Sequence, residues 1–335
     1  MKLNRLIVGV AMLSSIISAN DSSLRELAEY NGLKAIPDNK KELYKIIDPK
    51  NLLTPDRILL GKKLYFEPRL SKASDISCAS CHILDAGGDD NIPVAIGHKG
   101  AKNPHHLNSP TVYNAVFFDA QFWDGRSPSL EDQAKGPIQA PPEMAMTPKE
   151  AVERINAIPE YVAEFKKAYN KDIKIDFDLI TSTIALYERT LVTPSPYDDY
   201  LNGDDNALTK AEKKGLKKFI EIGCTGCHTG IAIGGSMQPF DVGKDFQFAH
   251  LGDFKGGKNG LVKVGTLRNI TQTSPYFHNG SMDKLEDVVK EMAKIQLGKN
   301  ITESDIHDII TFLKSLEGRK GDTKAPELPA ENKGN

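Results

Sequence analysis

Cys78-Ala79-Ser80-Cys81-His82 and Cys224-Thr225-Gly226-Cys227-His228 are two copies of one pattern, and they use all four cysteines of the chain. C-x-x-C-H is the attachment signature of c-type haem. Two thiols bond to the two vinyl groups on one porphyrin edge, and the adjacent histidine is held beneath the ring to ligate the iron. A zinc knuckle would gather four protein ligands at one site, and a redox dithiol does not need the histidine. Two complete motifs with no cysteine left over read as two covalently attached haem c groups.

The N-terminus agrees with that chemistry, because haem c is attached outside the cytoplasm. Lys2 and Arg5 precede an apolar run from Leu6 to Ile17, and Ser18-Ala19 offers a small-residue cleavage site. This is the layout of a secretory signal peptide over residues 1–19, and the apolar run is too short for a membrane span. A periplasmic protein with no span after signal removal is expected. Loss of the two leader cations takes the formal net charge from −2 to −4, a near-balance that argues against nucleic acid.

The length suggests about two domains, with one haem motif in each half. Thr54-Pro55, Thr147-Pro148 with Glu150, Thr209 with Glu212, and Thr302 are helix starts with N-caps, proline at N1 or capping boxes. Residues 176–190 and 284–296 carry apolar side chains at helical spacing. The expected fold is mainly α: two cytochrome c-like domains, each binding one covalently attached haem c, with long irregular loops. The expected division is a signal peptide over 1–19, a first haem domain over 20–195, a second over 196–318 and a disordered tail over 319–335. Residues 192–208, with Pro194, Pro196 and Asn202-Gly203-Asp204, read as the linker. The glycine-rich connections 83–110 and 229–264 are long enough to be functional.

The sixth ligand of each iron decides whether a haem carries electrons or binds small molecules. For the first iron the candidates are His98, His105, His106, Met144 and Met146. For the second they are Met237, His250, His278, Met282 and Met292. Local sequence does not choose among them. A loop histidine is more often a hydrogen-bonding group, and a methionine at helical spacing more often packs a core.

Beyond the haem motifs, the chain resembles the bacterial dihaem cytochrome c peroxidases. The resemblance rests on Gly97-His98, Asn108-Ser109-Pro110-Thr111-Val112, Phe122-Trp123-Asp124-Gly125-Arg126, Pro142-Glu143-Met144, Pro275-Tyr276-Phe277-His278-Asn279-Gly280 and Met292-Ala293 through Gln296-Leu297-Gly298, in order and spacing. It implies a peroxidatic haem on Cys78 and Cys81, with His82 as proximal ligand and His98 as removable distal ligand. It implies an electron-transfer haem on Cys224 and Cys227, with His228 and Met292 as axial ligands. Trp123 would lie between the haems, and Glu143 and Gln133 would line the peroxide pocket. Calcium would sit at the domain interface on Asn108, Thr273 and Pro275, which offer the hard oxygen donors it requires.

The implied reaction reduces hydrogen peroxide to water with electrons from a small donor, either a cytochrome c or a copper protein. A homodimer is common in such proteins. In the resemblance, reduction of the Met292 haem releases His98 from the first iron. Glu143 would carry a proton between the two peroxide oxygens. Two other functions compete: a dihaem electron carrier without catalysis, and a protein-modifying dihaem oxidase. Relatives of the second kind carry tyrosine where Met292 stands here.

Overall fold

The computed structural model of the chain describes residues 21–240, 246–257 and 259–330. The expected signal peptide therefore lies outside the described residues. Helix α1 spans 21–30 and is followed by α2 (Lys40–Ile47), α3 (Pro55–Tyr65) and the single turn α4 (Cys78–Cys81). Next come α5 (Leu130–Gln133), α6 (Lys135–Gln139), α7 (Pro148–Asn156), α8 (Pro159–Ala168) and α9 (Phe177–Glu188). The remainder holds α10 (Pro196–Leu201), α11 (Lys210–Ile222), α12 (Leu285–Leu297) and α13 (Glu303–Lys314). Strands β1 (Met237–Pro239) and β2 (Leu261–Lys263) pair antiparallel, with Met237 opposite Lys263.

The caps read from the sequence start the helices they should. Thr54 accepts from Arg57 N–H ahead of Pro55. Thr147, Thr209 and Thr302 each form a reciprocal capping box with an acidic residue three positions on. Such caps stabilise a helix start by about 1 kcal/mol each.

Two apolar cores hold the motifs. The first gathers Leu60, Leu64 and Tyr65 from α3 with Ile155, Tyr161, Phe165, Ile180 and Ile184 from α7, α8 and α9. The second gathers Leu216 and Phe219 from α11 with Ile309, Phe312 and Leu313 from α13. Each is built on a helix pair that crosses at a glycine. A Cβ on Gly61 would collide with the Thr183 carbonyl and come within 2.9 Å of Tyr187 Cβ. A Cβ on Gly215 would collide with the Asp308 carbonyl and come within 2.9 Å of Phe312 Cβ. In both halves this close crossing lies on the helix that leads into C-x-x-C-H.

One expectation is corrected. Residues 192–208 are not an open linker. Pro196 is the first residue of α10, Ser195 caps it, and Tyr197 and Tyr200 are fully buried in the second core. The Asp198 carboxylate, 1 % exposed, takes both arms of the fully buried Arg268 guanidinium, at 2.7 and 2.8 Å. Proline and serine here open a helix whose aromatic face is needed inside.

The first described residues pack with the second core. Ala28 and Leu33 belong to the second core, and Ile36 N–H donates to Asp198 at 2.7 Å.

The tail is laid along the protein as far as residue 330. Arg319 pairs with Asp199 at 2.7 Å, Lys62 with Asp322 at 2.8 Å, and Arg69 donates to the Pro329 carbonyl at 2.9 Å. Its charged side chains find fixed partners on the body of the protein, which composition alone does not disclose.

Candidate active site: two cavities on a shared wall

Each haem motif opens onto its own cavity. In the first, Ser77 accepts at the start of α4 and the Ser80 hydroxyl accepts from Ser77 N–H at 3.0 Å. His82 follows as the cap of that turn, its N–H bonded to the Cys78 carbonyl at 3.0 Å. Its Nδ1 lies 3.3 Å from the Gly88 carbonyl. The second motif follows Gly223, whose φ of 104° ends α11. His228 N–H bonds to the Cys224 carbonyl at 3.0 Å, and His228 Nδ1 lies 3.4 Å from the Ile233 carbonyl.

The two histidines are thus set alike. A carbonyl facing Nδ1 fixes the tautomer and leaves Nε2 for a metal. Burial lowers both imidazoles, His228 to about 4. A neutral ring is what ligation requires. Two thiols and one such ring on the wall of each cavity fit one haem c apiece.

The first cavity, about 160 Å³, is lined by Cys78, Cys81 and His82 together with Gln133, Glu143 and Trp123. The second, about 290 Å³, is lined by Cys224, Cys227 and His228 together with Met292, His278 and Trp123. Asn108, Thr273 and Pro275 also reach the second cavity. Trp123 belongs to both walls. Its indole N–H donates to the Asn108 carbonyl at 2.9 Å, and its ring meets His278 edge-on at 6.3 Å.

Glu143 stands on the turn after α6, its N–H bonded to the Ala140 carbonyl at 2.9 Å. Burial raises its carboxyl above the ordinary range, and the Arg126 charge opposes that rise. Arg126 is held by Asp124 at 2.8 Å and lies 3.5 Å over the Phe122 ring. A carboxyl with a raised pKa, half-buried beside an open cavity, is suited to taking up and returning a proton.

The candidate sixth ligands are sorted by place. Met292 and His278 both line the second cavity, whereas Met237, His250 and Met282 do not. Met237 packs on Gly125, Met282 pairs with Tyr276, and His250 is exposed. For the first iron, Met144 lines the cavity but is packed with Met146 in the first core, at 3 % and 1 % exposed. His105 is exposed and bonded to Asp253 at 2.8 Å, and His106 is outside the lining. His98 is outside it too, although its neighbour Gly97 is part of it. His98 N–H is bonded to the Glu143 carbonyl, and its Nδ1 is buried without a partner.

Two lining residues escape a reading of the sequence. Glu188 closes the apolar face of α9 and is 5 % exposed; burial pushes its carboxyl up to about 8. Lys263 is also 5 % exposed and lines both cavities. A lone charge ending an apolar run is the only local signal of either, and a solvated face gives the same signal.

Two c-type haem sites on a mainly helical frame, one with an acid beside it, define a dihaem cytochrome with an enzymatic site. Comparison with known proteins makes the class specific. Residues 55–206 match the sequence model of the di-haem cytochrome c peroxidase family. The chain is 46% identical to the cytochrome c551 peroxidase of Pseudomonas aeruginosa, over 81% of each chain. It is 44% identical to the cytochrome c551 peroxidase of Nitrosomonas europaea, over 85% of this chain and 88% of that one. A crystal structure of a MauG-like protein associated with microbial copper homeostasis superposes with a TM-score of 0.69. That match has 25% identity and covers 79% of this chain and 90% of the other. The chain belongs to the di-haem cytochrome c peroxidase family, and it is an enzyme of that class with two haem c groups, peroxide as substrate and a redox partner. No helix among the described residues is long and apolar enough to cross a membrane.

Proposed function

We propose that this protein works in the periplasm, where it reduces hydrogen peroxide to water at the first cavity with electrons delivered by a small redox protein to the second. The observation that carries this reading is the placement of Glu143, a carboxyl of raised pKa, in the cavity of Cys78, Cys81 and His82. Haem c, when bound, supplies the iron at which the O–O bond is reductively cleaved and a second centre that stores an electron.

The chain's residues do the rest. His82 and His228 would each offer Nε2 to a haem iron, and Met292 would offer its thioether to the second haem, a ligand that raises the potential. Glu143 takes a proton from one peroxide oxygen and returns it to the other, with Gln133 orienting the substrate by its amide. Two further protons from water and two electrons complete two water molecules. Trp123, in the wall common to both cavities, shortens the electron path between them.

His98 would be the removable ligand of the first iron. A buried ring nitrogen without a partner calls for an explanation, and an exchange of the ring between this position and the iron supplies one.

Calcium would be held by Asn108, Thr273 and Pro275, between the two halves. Asn108 Oδ1 is buried without a partner, while its Nδ2 lies 2.6 Å from the Pro275 carbonyl. Turning the amide over would set two oxygens face to face, an arrangement a cation favours. One haem belongs to each of the segments 20–195 and 196–318, with the N-terminal helix crossing to the second core.

Met292, rather than a tyrosine, favours peroxide reduction over protein oxidation. Glu143→Ala tests the assignment. Peroxide turnover is expected to fall by about 10²–10⁴-fold with both haems retained. Unchanged turnover would remove Glu143 from the reaction.

A further inference from the structure

Lys263 is buried, and among the described residues it has no salt-bridge partner. It ends β2, where its register opposite Met237 and an N–H bond of 2.8 Å to the Trp123 carbonyl fix its backbone. Its side chain is 5 % exposed and lines both cavities. Among the described residues no carboxylate pairs with it. Its Nζ lies over the Phe118 ring, 4.7 Å from the centroid. Asp124, the acid whose charge reaches it, is already paired with Arg126 at 2.8 Å. Left so, desolvation would lower the amine to about 7. An ammonium without a partner in such a place is strongly disfavoured.

The neighbours on this wall do not remedy that. Pro110, Phe118 and Trp123 share both cavities with Lys263, and none carries a negative charge. What fills the two cavities can supply that anion. Haem c carries two propionate carboxylates on the porphyrin edge away from the cysteine thioethers, and Lys263 shares each cavity with that cavity's cysteines.

We propose that the Lys263 ammonium is the shared counter-charge for haem propionates at the wall between the two cavities, and that this single cation raises the reduction potential of both haems. The proposal rests on the two-haem reading and does not need peroxide turnover. The sign follows from charge. A fixed positive group disfavours the more positive oxidised haem, so its removal lowers the potential. Because the same residue holds Trp123 through its backbone, a side-chain change leaves that bond in place.

The test uses the holoprotein with Lys263→Met, Lys263→Gln and Lys263→Arg. Both midpoint potentials are read by optical titration, and the propionate bending bands by resonance Raman. Met and Gln are expected to lower both potentials and shift the propionate bands, while Arg stays close to the parent. Equal potentials in all variants would overturn the proposal. So would an Arg variant that falls as far as Met, or a shift confined to one haem. Should Lys263→Met not accumulate with haem, Gln against Arg carries the same contrast. Failure of the peroxidase reading would show separately, as absent turnover in the parent protein.

Discussion

The backbone N–H of His98 donates to the carbonyl of Glu143 at 2.8 Å. The loop that carries the proposed removable ligand and the turn that carries the proposed proton carrier are therefore one mechanical unit. Gly97 tightens the unit, because a Cβ there would overlap the Pro142 carbonyl and sit 2.7 Å from Glu143 Cα. A displacement of His98 toward or away from the first cavity must pull on the residue that handles protons there.

Gly97→Ala tests that linkage. The added methyl has only backbone to displace, so the strain should cost about 1–3 kcal/mol and move either the His98 segment or the Glu143 turn. A lower thermal midpoint and slower peroxide turnover are expected, with the spectrum of the second haem unchanged. Normal turnover in a destabilised variant would uncouple the two loops.

The pH profile of kcat/KM reports on Glu143. As the base, it must be ionised when peroxide arrives, so activity falls as pH drops through its pKa. Burial raises that pKa and Arg126 lowers it. The acid limb should therefore lie above the ordinary glutamate value of about 4.3, and Arg126→Met should move it to still higher pH. An acid limb unmoved by Arg126→Met would assign it to another group.

Asp198→Asn removes the partner of Arg268 inside the second core, where the pair is 1 % and 0 % exposed. An uncompensated buried guanidinium should cost about 3–5 kcal/mol, read as a lower denaturant midpoint. An effect below about 1 kcal/mol would mean that the pair behaves as a solvated one.

Calcium removal by a chelator should lower turnover without loss of haem. Calcium should restore it and magnesium should not, because magnesium demands a tighter octahedral shell. Full activity in the chelated protein would detach the Asn108, Thr273 and Pro275 cluster from function.

The parts of this structure that read well from the sequence are local or covalent. The haem motifs announce themselves because attachment needs both thiols and the histidine in one turn. Thr147, Thr209 and Thr302 announce helix starts because a capping box closes within four residues. What did not read well depends on partners far along the chain. Asp198 meets Arg268 across 70 positions, so residues 192–208 carried only the punctuation of a linker. Lys263 and Glu188 have the local look of solvated charges and are buried by elements distant in sequence. The place of His98 is likewise set by a bond to Glu143, 45 residues on, and no loop motif encodes it.

The central claim is that the first haem meets peroxide at a site gated by His98 and served by Glu143. Optical and electron-spin spectra of the oxidised and half-reduced holoprotein, each then mixed with hydrogen peroxide, test it most directly. Half-reduction should turn one low-spin haem high-spin, and peroxide should then react rapidly. A first haem already high-spin and reactive when oxidised would remove the gate and keep the enzyme. Two haems that stay low-spin and inert to peroxide in both states would contradict the account and leave an electron carrier.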